Sequence, residues 1–367
     1  MTDFGVIAIA QKEFFDHLRS RKFLLILGLL LVIAIVGILN GIADYNTSVA
    51  AYNNLQQVAT HDWGTMLTAD LYQKIKPSVL QVFYQMSTLF AMIGGILGIA
   101  MGFDLVTKEK ESRSLKLLLA HPVYRDEVIN GKALGGIAAI FLALECVIAV
   151  SLGVLLIFGI VPDIEELLPL LVFCAVTFLF IFSYFAIALL MSTLCEESGR
   201  SLVYTLIIFV TLGSFIPAVV TSPLVMDQVI GPMPELPKII ADPMMKDQNR
   251  DAWDGYDRQT QEYGEKQMKV ADLQYLFSPQ ENYKKITTFL TNPAKTSDML
   301  YPIMSKGWGS LSETSKDISV GVVYEKLADF DFSAILAMIF GNIIALMIQP
   351  FVFFGLAYVS FMRMDVR

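Results

Sequence analysis

Residues 23–43 read FLLILGLLLVIAIVGILNGIA, 21 consecutive positions without a charge. A helix needs about 20 residues to cross a hydrocarbon core of roughly 30 Å, so this run is long enough to span a bilayer. A helix also satisfies its backbone polar groups internally, which lipid requires. Five further runs are of spanning length or close to it: Val79–Phe103, Leu134–Ile160, Leu167–Leu194, Leu202–Val220 and Ala334–Met362. The composition agrees, at 55% hydrophobic and 17% charged residues with a mean hydropathy of +0.57. Soluble domains carry about 25% charged residues. The expected fold is an all-α polytopic membrane protein with six transmembrane helices. Pro217 and Pro350 lie within or near the ends of two runs, where a kink is expected.

The charges orient these spans. Lys12, Arg19, Arg21 and Lys22 precede the first run, and Lys108, Lys110, Arg113, Lys116, Arg125 and Lys132 lie between the second and third. Between the third and fourth there are only Asp163, Glu165 and Glu166, while Arg363 and Arg367 follow the sixth. Basic segments stay on the inner side, so both termini are expected inside. The first 22 residues mix charges and are too long for the n-region of a signal peptide. Ile7, Ala10, Phe14 and Leu18 share one helical face, with Lys12, Asp16 and Arg19 opposite. That pattern predicts an amphipathic helix lying in the membrane interface, or one packed on protein.

The organisation expected is therefore an interfacial helix over 1–22 and five spans over 23–222, the latter with an outward loop at 44–78 and a cytoplasmic segment at 104–133. An extracytoplasmic domain at 223–333 follows, then the last span and cytoplasmic C-terminus at 334–367. All three tryptophans, Trp63, Trp253 and Trp308, fall in the two outward segments. Disordered segments are poor in aromatics, so the larger one is expected to be ordered and mainly helical, with residues 247–269 polar enough to be mobile.

Recognisable reaction chemistry is missing. Gly131-Lys132-Ala133 lacks both the preceding glycine and the hydroxyl residue of a phosphate loop, and no GxSxG or GxGxxG occurs at a strand–helix junction. The three histidines are isolated. Cys146, Cys174 and Cys195 sit in or beside apolar runs and read as small buried hydrophobes. Asp251, Asp254 and Asp257 do not match the EF-hand spacing and read as a solvated acidic turn. Glu145 lies mid-span, where a carboxylate is costly and so either functional or hydrogen-bonded at a dimer seam. Asn342 and Gln349 read as interhelical hydrogen-bond partners.

The most informative polar stretch is 104–136, DLVTKEKESRSLKLLLAHPVYRDEVINGKALGG. Thr107–Ala120 reads as a charged helix with leucines crowded at its end. His121-Pro122 breaks it, because the residue before proline is pushed out of the helical region, and Asp126 is placed to cap a new helix. Leucines exposed at such an elbow either fill a groove on a partner or dip into the bilayer surface. The order Glu109, Glu111, Ser114-Leu115-Lys116, Leu118-Leu119, Pro122-Val123, Arg125, Glu127-Val128-Ile129, Gly131-Lys132 resembles the signature of ABC-2 type permeases. Lys12-Glu13-Phe14 and Arg19–Phe23 are similar to that family's entry helix, and Ser192–Ser201 to its second inside contact. The sequence departs from the family at Arg113-Ser114, where Gly-Thr is common, and in the long segment before the sixth span.

The resemblance implies the transmembrane permease subunit of an ATP-driven exporter, multi-pass in the plasma membrane and paired with a second permease copy as a homodimer or related heterodimer. ATP and Mg would be held by a separate ABC ATPase subunit, with no cofactor on this chain and no nucleic-acid partner. Docking to that ATPase would fall to Glu109, Glu111, Arg113, Leu115, Leu118, Leu119, Pro122, Arg125 and Glu127. Glu145, Asn342 and Gln349 would mark the translocation path or the dimer seam. Two other readings stand beside it: a membrane scaffold or sensor whose ectodomain binds a partner, and a proton-coupled carrier using Glu145. Against the carrier stand the absence of inverted repeats and of other intramembrane charges.

Overall fold

The computed structural model describes residues 4–61, 77–114, 124–235, 246–292 and 332–364, and among them there is no β-strand. Helix α1 (Phe4–Arg19) precedes the long α2 (Arg21–His61). A 3-10 turn (Val79–Gln81) leads into α3 (Val82–Ile93) and α4 (Gly95–Gly102), followed by the short α5 (Thr107–Glu111). Next come α6 (Arg125–Ile157), α7 (Ile164–Leu194) and α8 (Ser198–Val210), then a π-helical turn (Thr211–Phe215), α9 (Ile216–Val220) and α10 (Pro223–Val229). Helices α11 (Lys246–Phe277), α12 (Pro279–Thr291) and α13 (Phe332–Arg363) complete the described chain. Six helical stretches are long and apolar enough to cross a membrane, and each overlaps one of the six apolar runs.

Helix α7 is the axis of the bundle, packed by α4, α6, α8, α12 and α13. Its stretch Phe180–Leu190 is buried throughout. Lipid tails are as apolar as leucine, so spans associate through close contact rather than the hydrophobic effect. Glycines four apart provide that contact at three seams. Gly37 and Gly41 of α2 lie on the backbone of Val82 and Met86, and Gly98 and Gly102 of α4 lie on that of α7. Gly131 and Gly135 of α6 receive α1. A Cβ at Gly98 would collide with the Ile181 carbonyl oxygen.

Several expectations change. The segment beginning at residue 44 opens as helix, because α2 continues to His61. Gln85 Nε2 donates to Asp44 at 2.7 Å and Gln81 Nε2 to Ser48 Oγ at 2.9 Å, so the extension is held against α3 and its leading turn. Residues 247–269 belong to the continuous helix α11. The charged helix expected over 107–120 is interrupted after Glu111, where Arg113 adopts a left-handed backbone at φ 56°, a conformation costly for a side chain with a Cβ; its residues 115–120 lie outside the described residues. Tyr124, not Asp126, is the N-cap of α6, with its N–H donating to Glu127 Oε2 at 3.1 Å.

The largest change concerns residues 279–291, expected in a domain outside the membrane. Helix α12 instead packs among α3, α7 and α13. Tyr283 is fully buried, its ring stacked on Phe180 at 4.5 Å and its hydroxyl 3.3 Å from that of Thr177. Ile286, Phe289 and Leu290 are buried with it. Asn282 Nδ2 donates to the Asn342 carbonyl oxygen at 2.9 Å. Phe180 lies about midway along α7, so α12 reaches deep between the spans. A helix of 13 residues bearing two lysines and a glutamate falls below any spanning threshold, and only its packing partners reveal where it sits.

Candidate coupling site

At one end of the bundle, α1, α5, α6, the α7–α8 turn and the end of α13 meet. Lys132, in the second turn of α6, is the centre of this junction. Its side chain is only 3% exposed, and Nζ lies 2.8 Å from Glu13 Oε1 of α1 and 2.7 Å from Glu109 Oε1 of α5. Gly131 and Gly135 let α1 approach closely enough for Glu13 to reach it. A lysine this deeply buried is tolerable only when paired, since desolvating the charge is expensive. The pair of acids answers that cost and fastens three segments that are distant in sequence. Lys22, at the start of α2, pairs with Asp104 and lies over the Phe103 ring at 4.8 Å.

Helix α5 is also fastened to the α7–α8 turn. Ser192 Oγ accepts from the backbone N–H groups of Val106 and Thr107 at 3.0 and 3.1 Å. Lys110 Nζ donates to the carbonyl oxygens of Thr193 and Cys195, both at 2.8 Å. These lie at the C-terminal end of α7, where helix carbonyls lack intrahelical partners and attract cations. Glu111 Oε1 accepts from the Ser198 N–H at the start of α8, the complementary arrangement at a helix N-terminus. Arg125 Nη1 in turn donates to the Met364 carbonyl oxygen at 2.8 Å, closing the end of α13 against α6.

The nine residues expected at a docking surface therefore separate. Glu109 turns inward to Lys132, Glu111 is exposed while accepting from the Ser198 N–H, and Arg113 is exposed at the break after α5. Arg125 and Glu127 cap helix ends, and Glu127 also lies beside α1 at Gly5. Leu115, Leu118, Leu119 and Pro122 lie outside the described residues. The roles of Glu13, Lys110 and Lys132 were missed by sequence reasoning, although Lys132 closes the family-like order from Glu109 onward. Of the membrane candidates, Glu145 is exposed on α6 and Gln349 is half-buried on α13. Asn342 joins α12 through its backbone, not its carboxamide.

Helix α1 seats most of the expected face, since Ala10, Phe14 and Leu18 turn toward protein and Lys12, Asp16 and Arg19 are exposed, but Ile7 is turned away and Glu13 is buried in its place. Val6, Ile9, Ala10, Glu13 and His17 turn toward protein to varying degrees, whereas Ile7 and Phe15 are 53% and 51% exposed. Burial alone would raise the Glu13 carboxyl, but the hydrogen-bonded Lys132 ammonium, with Lys12 and His17, holds it below the ordinary 4.5. Burial holds the His17 imidazole below its ordinary 6.5, against the opposing pull of Glu13 and Asp104. Both depressed values act in the same direction. Seating of α1 is strongest above pH 6.5 and weakens as pH falls through the histidine range. It weakens again below 4.5, where an unseated Glu13 would take up a proton first. A fluorescent probe at Val6 should show α1 loosening in two stages on acidification; a signal flat through both ranges would contradict this.

The match to known proteins agrees with this architecture. A family model described as ABC-2 family transporter protein matches residues 7–366, nearly the whole chain. The chain belongs to this family. It is thus an ABC-2 type permease, the membrane-spanning component of an ABC transporter, and a multi-pass membrane protein. Among curated proteins, none matches the chain.

Proposed function

We propose that this ABC-2 permease is an exporter subunit driven by a separate ABC ATPase that docks beneath the connection between its second and third spans. ATP and Mg belong to that ATPase, and two permease copies form the membrane pathway. The observation carrying the reading is the fastening of α5 to α1, α6 and the α7–α8 turn through Lys132, Lys110 and Glu111. A push on the segment that follows α5 would be passed to all of them together rather than absorbed by a loose loop. The excess of Lys and Arg at this end favours a cytoplasmic position, where an ATPase has access to ATP. With Glu109 engaged inside the chain, docking falls to the leucines at 115, 118 and 119, with the exposed Glu111 and Arg113 beside them.

Each such leucine, fully removed from water, contributes about 1.5–3 kcal/mol. Leu118→Asp would place an unpaired charge in the contact while leaving membrane insertion intact. Co-purification with the cognate ATPase and the hydrolysis rate of the pair are both expected to collapse, and the permease alone should hydrolyse no ATP. A Leu118→Asp variant that still binds and stimulates the ATPase would overturn the docking role. Hydrolysis by the purified permease itself would overturn the division of labour.

A further inference from the structure

Helix α12 does not cross the bundle, yet three contacts fix its first turns at mid-depth. Tyr283 stacks on Phe180, which at a rise of 1.5 Å per residue is roughly 20 Å from either end of α7. Asn282 binds the backbone of Asn342, about 15 Å into α13. The Gln280 carboxamide fills the space that a side chain at Gly213 would need, in the π-helical turn between α8 and α9. Such turns widen a helix locally and leave room for an inserted group.

The two faces of α12 have opposite character. Asn282, Tyr283, Ile286, Phe289 and Leu290 are buried against the spans. Glu281, Lys284, Lys285 and Thr288 follow the i, i+3, i+4, i+7 spacing of one helical face, and all four remain partly open. Glu281 and Lys284 pair at 2.6 Å with side chains 19% and 39% exposed, and Lys285 Nζ lies 4.5 Å above the Tyr275 ring of α11. Charged side chains at this depth are costly against lipid. Helices that stop partway through the membrane persist where they are buried in protein or line water, and this face is not buried.

We propose that the open face of α12 lines a water-filled compartment reaching bilayer mid-depth and admitting small charged solutes. Its place on the transport path rests on the permease reading, whereas its wetness rests on the geometry alone. The test uses the full chain in membrane vesicles with Cys146, Cys174 and Cys195 replaced by alanine. Single cysteines are placed at Lys285, Thr288 and, as a control on the outer surface of α8, Ile207, which is 55% exposed. A charged, membrane-impermeant methanethiosulfonate should modify positions 285 and 288 at least about tenfold faster than 207, since only a hydrated thiol ionises and reacts. The unsubstituted chain offers a second reading: an impermeant amine-reactive ester should modify Lys284 or Lys285, detected by mass spectrometry. If both lysines stay unmodified and positions 285 and 288 are as inert as 207, the compartment does not exist. A chain that labels as expected but moves no cargo with its ATPase would sink the exporter reading and leave the compartment standing.

Discussion

Lys132→Met should destabilise the protein by about 3–5 kcal/mol, the range observed when one partner is removed from a buried ionic cluster. The methionine fills similar volume, so the loss is electrostatic: Glu13 and Glu109 remain facing one another with no cation between them. Glu109 Oε2 is already buried without a hydrogen-bond partner, which leaves that acid no alternative inside the junction. Combining Lys132→Met with Glu13→Gln and Glu109→Gln should recover most of the stability, because replacing a whole buried cluster costs far less than breaking it. Thermal unfolding in detergent measures both variants. A single variant that unfolds with wild type would mean the three side chains are not enclosed together. The recovered triple variant also separates stability from function. It should fold normally yet respond less to ATP hydrolysis, since α5 is no longer tied ionically to α1 and α6.

Tyr283→Ala is the second substitution with a large expected effect, also about 3–5 kcal/mol, as for other buried aromatic truncations. It removes a fully buried ring from its stack on Phe180 and leaves a cavity between α7 and α12. Tyr283→Phe keeps the ring and loses only the hydroxyl contact with Thr177, so it should cost about 0.5–1.5 kcal/mol. Unfolding measurements on the pair distinguish a helix seated in the bundle from one belonging to a separate outer domain. If Tyr283→Ala were as stable as wild type, α12 would not be seated there. Gln280→Ala is a smaller companion case, because its contact with the π-helical turn can relax around Gly213.

The spans were legible because a bilayer imposes one simple demand, about 20 apolar residues in a row, and residues 23–43 meet it without ambiguity. The connection at 104–136 was legible because its leucines, its proline and its ordered charges are local features. The glycine seams were readable and overlooked: Gly37-x-x-x-Gly41, Gly98-x-x-x-Gly102 and Gly131-x-x-x-Gly135 stand in the sequence, and small residues four apart mark close helix contacts in membranes. Hydrophobicity alone placed Ala10, Phe14 and Leu18 on the protein-facing side of α1 but could not place Glu13 and His17 there. Glu13 and His17 are turned inward by Lys132 and by burial against α6, which no periodicity within α1 reports.

By itself, the sequence determined the number of spans, their approximate places and the family, since these depend on local hydropathy and on the order of residues in one connection. Only the tertiary structure decided that Glu109 faces inward, that Lys132 joins α1 to α5, and that α12 lies among the spans. The physical reason is the range of the interactions. Apolar length is a property of neighbouring residues, whereas the partner of a buried charge, 119 positions away for Glu13 and Lys132, exists only after the helices have packed.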